Sequence, residues 1–317
     1  MANLDVQLGN LDYDSIKNSI KNHLKQQEIL MDYDYEGSAL QVLLDVLSYN
    51  TFYYAYYANM IANEMFLDTA QREESIISLV KPLGYVVPGR TSARGRGKIR
   101  GGGAYAEVPK YTRFSGNNES GIAYTFYTLT YESLDLDGEK VVNFAEGKHL
   151  IRNQPLFIDN STQKSFIAGL DTDISTITIE VYNSETDDSG IDIGWEEWSL
   201  ASNVETGLDK YSKVYWLERS ELGFFIVFGG NLGSEVTEQV GRAVGENDTV
   251  RISYLKSSGE AANDVGNWSI VADGQLGNAA VDTISLSSGG TDKPDLNLIK
   301  FFAPKWFAAQ DRAVTAQ

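Results

Sequence analysis

An α+β fold is expected of this 317-residue chain: an N-terminal helical bundle segment, a mainly antiparallel β region, and the start of a further α-containing domain. Three observations predict it. Between residues 12 and 86, apolar side chains recur at spacings of three and four while Gly and Pro are nearly absent, which is the helical period. From about 104 to 292 the text alternates and is punctuated by Gly, Asn, Asp and Ser, as short strands and turns require. From Pro294 an apolar, aromatic run changes the character again. The expected divisions are a helical segment at 1–89, a Gly/Arg-rich joint at 90–103, a β-rich domain at 104–292, and the beginning of a truncated C-terminal segment at 293–317.

The first helix is predicted to start at an aspartate cap, Asp12 or Asp14, and to run to about Glu28. Ile16, Ile20 and Leu24 lie on one stripe and Lys17, Lys21 and Lys25 on another. A second helix starts after Ser38, with Leu40, Leu43, Leu44 and Leu47 inward, and reaches towards Phe66. Its other side also carries Val42, Val46, Tyr49, Phe52, Tyr53, Tyr56 and Met60. A helix that is apolar all round must be covered all round. Leu40, Leu44, Leu47, Tyr54, Ala58, Ile61 and Met65 are therefore assigned to the bundle core, and Tyr49, Tyr53, Tyr56 and Met60 to a partner chain. An ordinary core helix is the competing reading of the tyrosine stripe, because such stripes are commonly internal. A third helix begins at Asp68 or Thr69, turns Ile76, Leu79 and Val80 inward, and stops near Pro82 and Gly84.

The stretch from Val46 to Asn63 has no charged residue and approaches the minimum length of a membrane span. It contains Ser48, Asn50, Thr51, Asn59 and Asn63 and lacks a basic flank, so no membrane is expected. RTSARGRGKIRGGG, residues 90–103, is the one notably basic stretch. It reads as a connection, with Gly95, Gly97, Gly101, Gly102 and Gly103 as hinge candidates. Beyond it, Ile177, Ile179 and Val181 alternate cleanly with Thr178, Glu180 and Tyr182, and Val250, Ile252 and Tyr254 share a face. Phe224 to Phe228 is continuously apolar, as in a strand buried on both sides, and Asp137-Gly138 reads as a hairpin turn. After Pro304, Trp306 to Val314 again looks helical.

Composition narrows the function. A formal charge of -18, from 44 acidic and 26 basic residues, repels phosphate backbones and anionic headgroups; no nucleic acid partner is expected. The absence of Cys removes disulfides, thiolate metal sites and cysteine nucleophiles, and fits synthesis in the cytosol. The two histidines, His23 and His149, stand outside any recognisable catalytic motif, and neither a G-x-S-x-G elbow nor an H-E-x-x-H helix occurs. RGRGKIRGGG lacks the spacing of a phosphate-binding loop. The acidic runs 135–139 and 185–192 offer calcium-type oxygen ligands, yet neither completes an EF-hand, and both match ordinary turns. Glu196 and Glu197 between Trp195 and Trp198 resemble a carbohydrate site, a glycan hydrolase or a binding module, but neighbours on a strand point to opposite faces. No enzyme, cofactor, metal or small-molecule substrate is expected.

Beside this reading stands a resemblance. LDYDSIKNSIKNHLKQQ, EGSALQVLLDVLSYNT, ANEMFLDTA and GYVVP at Gly84 to Pro88 resemble the baseplate wedge subunit of T-even-like contractile-tailed phages, in the baseplate J-like family. FFIVFGGNLGSE followed by NDTVRISYLKSSGEAANDVG resembles the family's glycine-rich hairpin and next strand. FFAPKWFAAQDRAVTAQ, with Pro304, Gln310 and Asp311 to Thr315, resembles the segment that follows. The resemblance implies a virion protein of the tail baseplate, assembled in the host cytoplasm, that forms a homodimer within a wedge, contacts neighbouring wedges, and joins other wedge proteins through helical bundles into a ring around the hub. It also implies a part in the rearrangement that triggers sheath contraction. Family sequences continue past this point with an acidic-aromatic pair and another domain, so a truncated or shortened chain is expected.

Overall fold

A computed structural model of the chain describes residues 12–27, 37–101, 106–154, 157–159, 162–186, 192–201, 208–229, 240–245, 248–271, 276 and 279–309. Three helices come first: α1 (Tyr13–Gln27), α2 (Ala39–Glu64) and α3 (Glu73–Val80). The strands follow as β1 (Arg94–Arg100), β2 (Glu107–Val108), β3 (Arg113–Asn117), β4 (Ala123–Thr128), β5 (Glu132–Ser133), β6 (Lys140–Glu146), β7 (Lys148–Gln154) and β8 (Phe157–Asp159). They continue as β9 (Thr162–Ala168), β10 (Thr172–Thr186), β11 (Asp192–Leu200), β12 (Val214–Ser220), β13 (Gly223–Phe228), β14 (Thr249–Lys256), β15 (Gly266–Ile270) and β16 (Ala280–Ser288). Helix α4 (Leu296–Ala309) closes the described chain. Helices followed by mainly antiparallel sheets make this an α+β protein.

Side-chain caps fix the helix starts. The Asp12 carboxylate accepts from Ser15 N at 3.1 Å and Ser15 Oγ at 2.8 Å, and Ser38 Oγ accepts from Gln41 N at 3.1 Å, each satisfying an amide that the helix leaves unpaired. Helix α3 starts at Glu73 rather than at Asp68 or Thr69. The two amides just before it are held by another helix, because Glu64 accepts from Gln71 N at 2.9 Å and Arg72 N at 3.3 Å. A 3-10 turn, Lys81–Leu83, follows and ends on Gly84 with φ 71, where a left-handed backbone suits glycine.

The first β body is a six-stranded sheet in the order β15-β3-β4-β6-β1-β16. Its two edges meet: Asp264 N donates to Ser287 O and Ser287 N to Val265 O, both at 2.8 Å, so the sheet closes towards a barrel. Phe114, Phe126, Phe144 and Trp268 fill it, with Phe144 stacked on Phe114 at 4.9 Å and edge-on to Trp268 at 4.6 Å. Gly95 and Gly97, expected in a hinge, lie inside β1, which pairs with β6 on one side and β16 on the other. A Cβ on Gly95 would stand 2.5 Å from Phe144 Cε2. These glycines admit aromatic rings rather than motion. Gly101 follows the strand with φ 74; Gly102 and Gly103 lie outside the described residues.

The second body is an eight-stranded sheet in the order β7-β14-β10-β11-β12-β13-β9-β8, antiparallel except for the parallel pair β11–β12. It is inserted into the first: the chain leaves the barrel after β6, builds β7 to β14, and returns at β15. Ile177, Ile179, Val181, Val250, Ile252 and Tyr254 point into its core as their alternation predicts. Ile226 and Phe228 join the same core and Phe224 is fully buried, but Phe225 and Val227 are only half-buried, so β13 is one-sided and not buried on both faces. Asp137-Gly138 makes the expected hairpin turn, with Gly138 N donating to Asp135 O at 2.9 Å, Asp135 N to Glu139 O at 3.0 Å, and Gly138 at φ 68, but the turn does not join a paired ladder. The flanking β5 pairs with β2, and β6 pairs with β4 and β1.

A third core holds Ala70, Ile76, Ile77, Val80, Val87, Ile299 and Ala303. Helix α4 therefore docks on α3 and does not open a body of its own within the described residues. It runs through Pro304 without a break.

Candidate functional site: the exposed faces of helix α2

Helix α1 lies along α2 and is tied to it by Asp45, which accepts from Tyr13 Oη at 3.1 Å and pairs with Lys17 at 2.5 Å. The Lys17 hydrogen bond holds the Asp45 carboxyl below the usual carboxylate range. The buried residues of α2 are few: Leu44, Ser48, Asn59 and Ala62.

Of the residues assigned to the bundle core, Leu44 is buried and Leu40 half-buried, whereas Leu47, Tyr54, Ala58, Ile61 and Met65 are exposed. Tyr54 is 76% and Met65 66% exposed. The core assignment therefore does not hold for those five within the single chain; one thin helix covers one stripe of a helix that is apolar on every side. Tyr49, Tyr53, Tyr56 and Met60, the partner candidates, are exposed too.

The exposed residues are ordered. Val42, Val46, Tyr49, Tyr53, Tyr56 and Met60 follow one another at spacings of four and three, and so do Leu43, Leu47, Asn50, Tyr54, Tyr57 and Ile61. Each series is the seam spacing by which one helix receives another. The first seam is already arranged: Tyr49 Oη donates to Tyr53 Oη at 2.8 Å, their rings meet edge to face at 4.6 Å, and Tyr53 leans on Tyr57 at 6.2 Å. This hydrogen bond pushes the Tyr53 phenol up. The core assignment of Leu47, Tyr54 and Ile61 hides the second seam; the signal that finds it is the unbroken spacing from Leu43 to Ile61. A smaller apolar face, Leu298, Phe301, Phe302, Trp306 and Phe307 on α4, is also exposed and had not been singled out.

The other candidates disperse. Glu196 pairs with Lys213 at 2.5 Å and Arg242 at 3.4 Å, while Glu197 is mostly exposed and faces Lys110 at 3.5 Å. Trp198 is buried in the core, and the Trp195 ring is covered by the Arg251 guanidinium at 3.6 Å. Two carboxylates on opposite faces and two occupied indoles make neither a hydrolytic pair nor a sugar platform. Among the described residues, no three His, Asp or Glu side chains gather as metal ligands; the acidic run at 187–191 lies outside them. No described helix is long and apolar enough to cross a membrane.

Comparison with known proteins agrees with the helical architecture. Residues 12–85 match the family of the baseplate wedge protein gp6-like helical domain. Over 95% of the chain there is 24% identity to the baseplate wedge protein gp6 of Enterobacteria phage T4, of which the matched region is 48%. Among solved structures, the cryo-EM baseplate of the anti-feeding prophage matches with 11% identity over 94% of this chain and 53% of that one. Its TM-score of 0.29 carries no weight for the fold. The chain spans about half the length of these relatives. Residues 12–85 are thus similar to the helical domain of gp6-like baseplate wedge proteins, and a weaker similarity to gp6 runs through nearly the whole chain.

Proposed function

We propose that the chain is a non-enzymatic scaffold that assembles with itself and with other wedge proteins through α2, and takes part in the rearrangement that triggers sheath contraction. The observation that carries the assembly reading is the pair of exposed seams on α2. Large apolar and tyrosine side chains are enriched where proteins meet, because they bring contact area together with a polar tip. A helix left with two uncovered seams requires at least two further helices, and α1 supplies neither.

Homodimerisation within a wedge and contact between wedges rest on the same surface and on the family resemblance. Size-exclusion chromatography with light scattering, on the purified chain alone and then mixed with the other wedge proteins of the same virus, tests the reading. A dimer or a larger mixed complex is expected. A chain that stays monomeric and enters no complex would overturn it.

A further inference from the structure

Two covalent crossings join the inserted sheet to the barrel, at 146–148 and 256–264, and both leave from one end of it. A third, non-covalent contact begins beside them, at His149, and extends across the sheet to Thr178 and Glu197. The loop that precedes β3 reaches from the barrel to the outer face of the inserted sheet, where Lys110 Nζ donates to Thr178 Oγ1 at 3.1 Å and Tyr111 Oη to the same oxygen at 3.2 Å. The Tyr111 ring lies flat on His149 of β7, with centroids 3.8 Å apart and planes 17° apart. Lys110 also faces Glu197 on β11 at 3.5 Å.

Tyr111 makes this contact from a left-handed backbone, φ 66, which is unfavourable for a bulky side chain and is kept where the surroundings demand it. Its amide is held by Thr128 O at 2.7 Å. The Nε2 of His149 is buried without a hydrogen-bond partner among the described residues.

We propose that Lys110 and Tyr111 form a releasable clamp between the barrel and the inserted sheet, and that the clamp holds only while His149 is uncharged. A charged imidazole carries a proton on both nitrogens, so its Nε2–H would face no acceptor, with the Lys110 ammonium close by. The ring that could answer it is already shared, since Lys110 Nζ stands 5.5 Å from the centroid of Tyr111. The other titratable groups nearby are Tyr127 of β4, whose ring is 5.6 Å from His149, Glu197, which faces Lys110, and the flanking Lys148 and Lys256, paired across β7 and β14. None of them brings a carboxylate to His149. Burial, and then Lys110, push the imidazole below its ordinary value. A depressed imidazole adds stability above the ordinary value of about 6.5, and that stability is lost as pH falls through the folded value.

With two histidines in the chain, imidazole proton NMR of the wild type and the His149→Phe variant identifies the His149 signal. Its midpoint is expected below about 6.5 and should rise towards that value in Tyr111→Ala. Small-angle scattering of the wild type should show expansion between about pH 7 and pH 5, where histidine titrates, and His149→Phe should not expand. If His149→Phe fails to fold, Tyr111→Ala must already be expanded at pH 7. A midpoint at or above the ordinary value, equal acid expansion in His149→Phe, or a compact Tyr111→Ala at pH 7 would overturn the clamp.

Discussion

An added methyl at Gly95 would stand 2.5 Å from Phe144 Cε2 and 2.8 Å from Trp268 Cζ2, so Gly95→Ala overpacks the barrel. It should cost about 1–3 kcal/mol in urea unfolding; a midpoint equal to wild type would restore the hinge reading. Tyr53 and Tyr56 behave in the opposite way, being exposed in the single chain. Replacing both with Ser should leave β-sheet circular dichroism unchanged and stability within about 0.5 kcal/mol, while weakening assembly at least about tenfold. Loss of the β signal would count against their assignment to an interface. Tyr215 supplies a pH test: burial first, and Glu197 second, push its hydroxyl up to about 12. The folded chain therefore keeps that proton between its unfolded value near 10 and about 12, so stability should fall as pH rises above about 10. Tyr215→Phe should flatten that decline; an equally steep one in the variant would exclude Tyr215 as its source.

Helix α4 is held through Ile299 and Ala303, both fully buried against α3. Ile299→Ala should cost about 2–5 kcal/mol in thermal or urea unfolding, and a loss below that range would mean α4 is not docked. Glu73 ties three parts together, pairing with Arg219 of β12 at 3.5 Å and Lys293 before α4 at 2.5 Å. The Arg219 side chain is 2% exposed, so Glu73→Ala leaves a buried cation without its carboxylate. Because Glu73 itself is a quarter exposed, the expected cost is about 2 kcal/mol rather than the larger penalty of a fully buried pair. At this scale the sequence was legible where a signal is local. Asp12 and Ser38 are caps within a turn of the amides they serve, and Ile177, Ile179 and Val181 declare their face by alternation. The start of α3 was not legible, because the backbone leading into it, at Gln71 and Arg72, is held by Glu64 from another helix. Gly95 and Gly97 misled because a glycine that admits Phe144 looks, in sequence, like one that bends.

Across the whole molecule, alternation identifies strands but carries no information about which strand pairs with which. The insertion of the eight-stranded sheet into the barrel, and the docking of α4 on α3, are long-range facts that no window of residues 104–292 or 293–309 displays. The helical segment was legible in its type and in its excess of apolar surface. Its division into core and partner faces was not, since within the chain only Leu44, Ser48, Asn59 and Ala62 of α2 are buried and both seams stay open. That excess is the whole-molecule feature on which the proposed assembly rests, because large exposed apolar faces commonly mark interaction sites. Side-chain footprinting of Tyr49, Tyr53, Tyr54, Tyr56 and Tyr57, on the isolated chain and on the assembled baseplate wedge, tests this most directly. These tyrosines should react readily in the isolated chain and become protected on assembly; equal reactivity in both would contradict α2 as the interface.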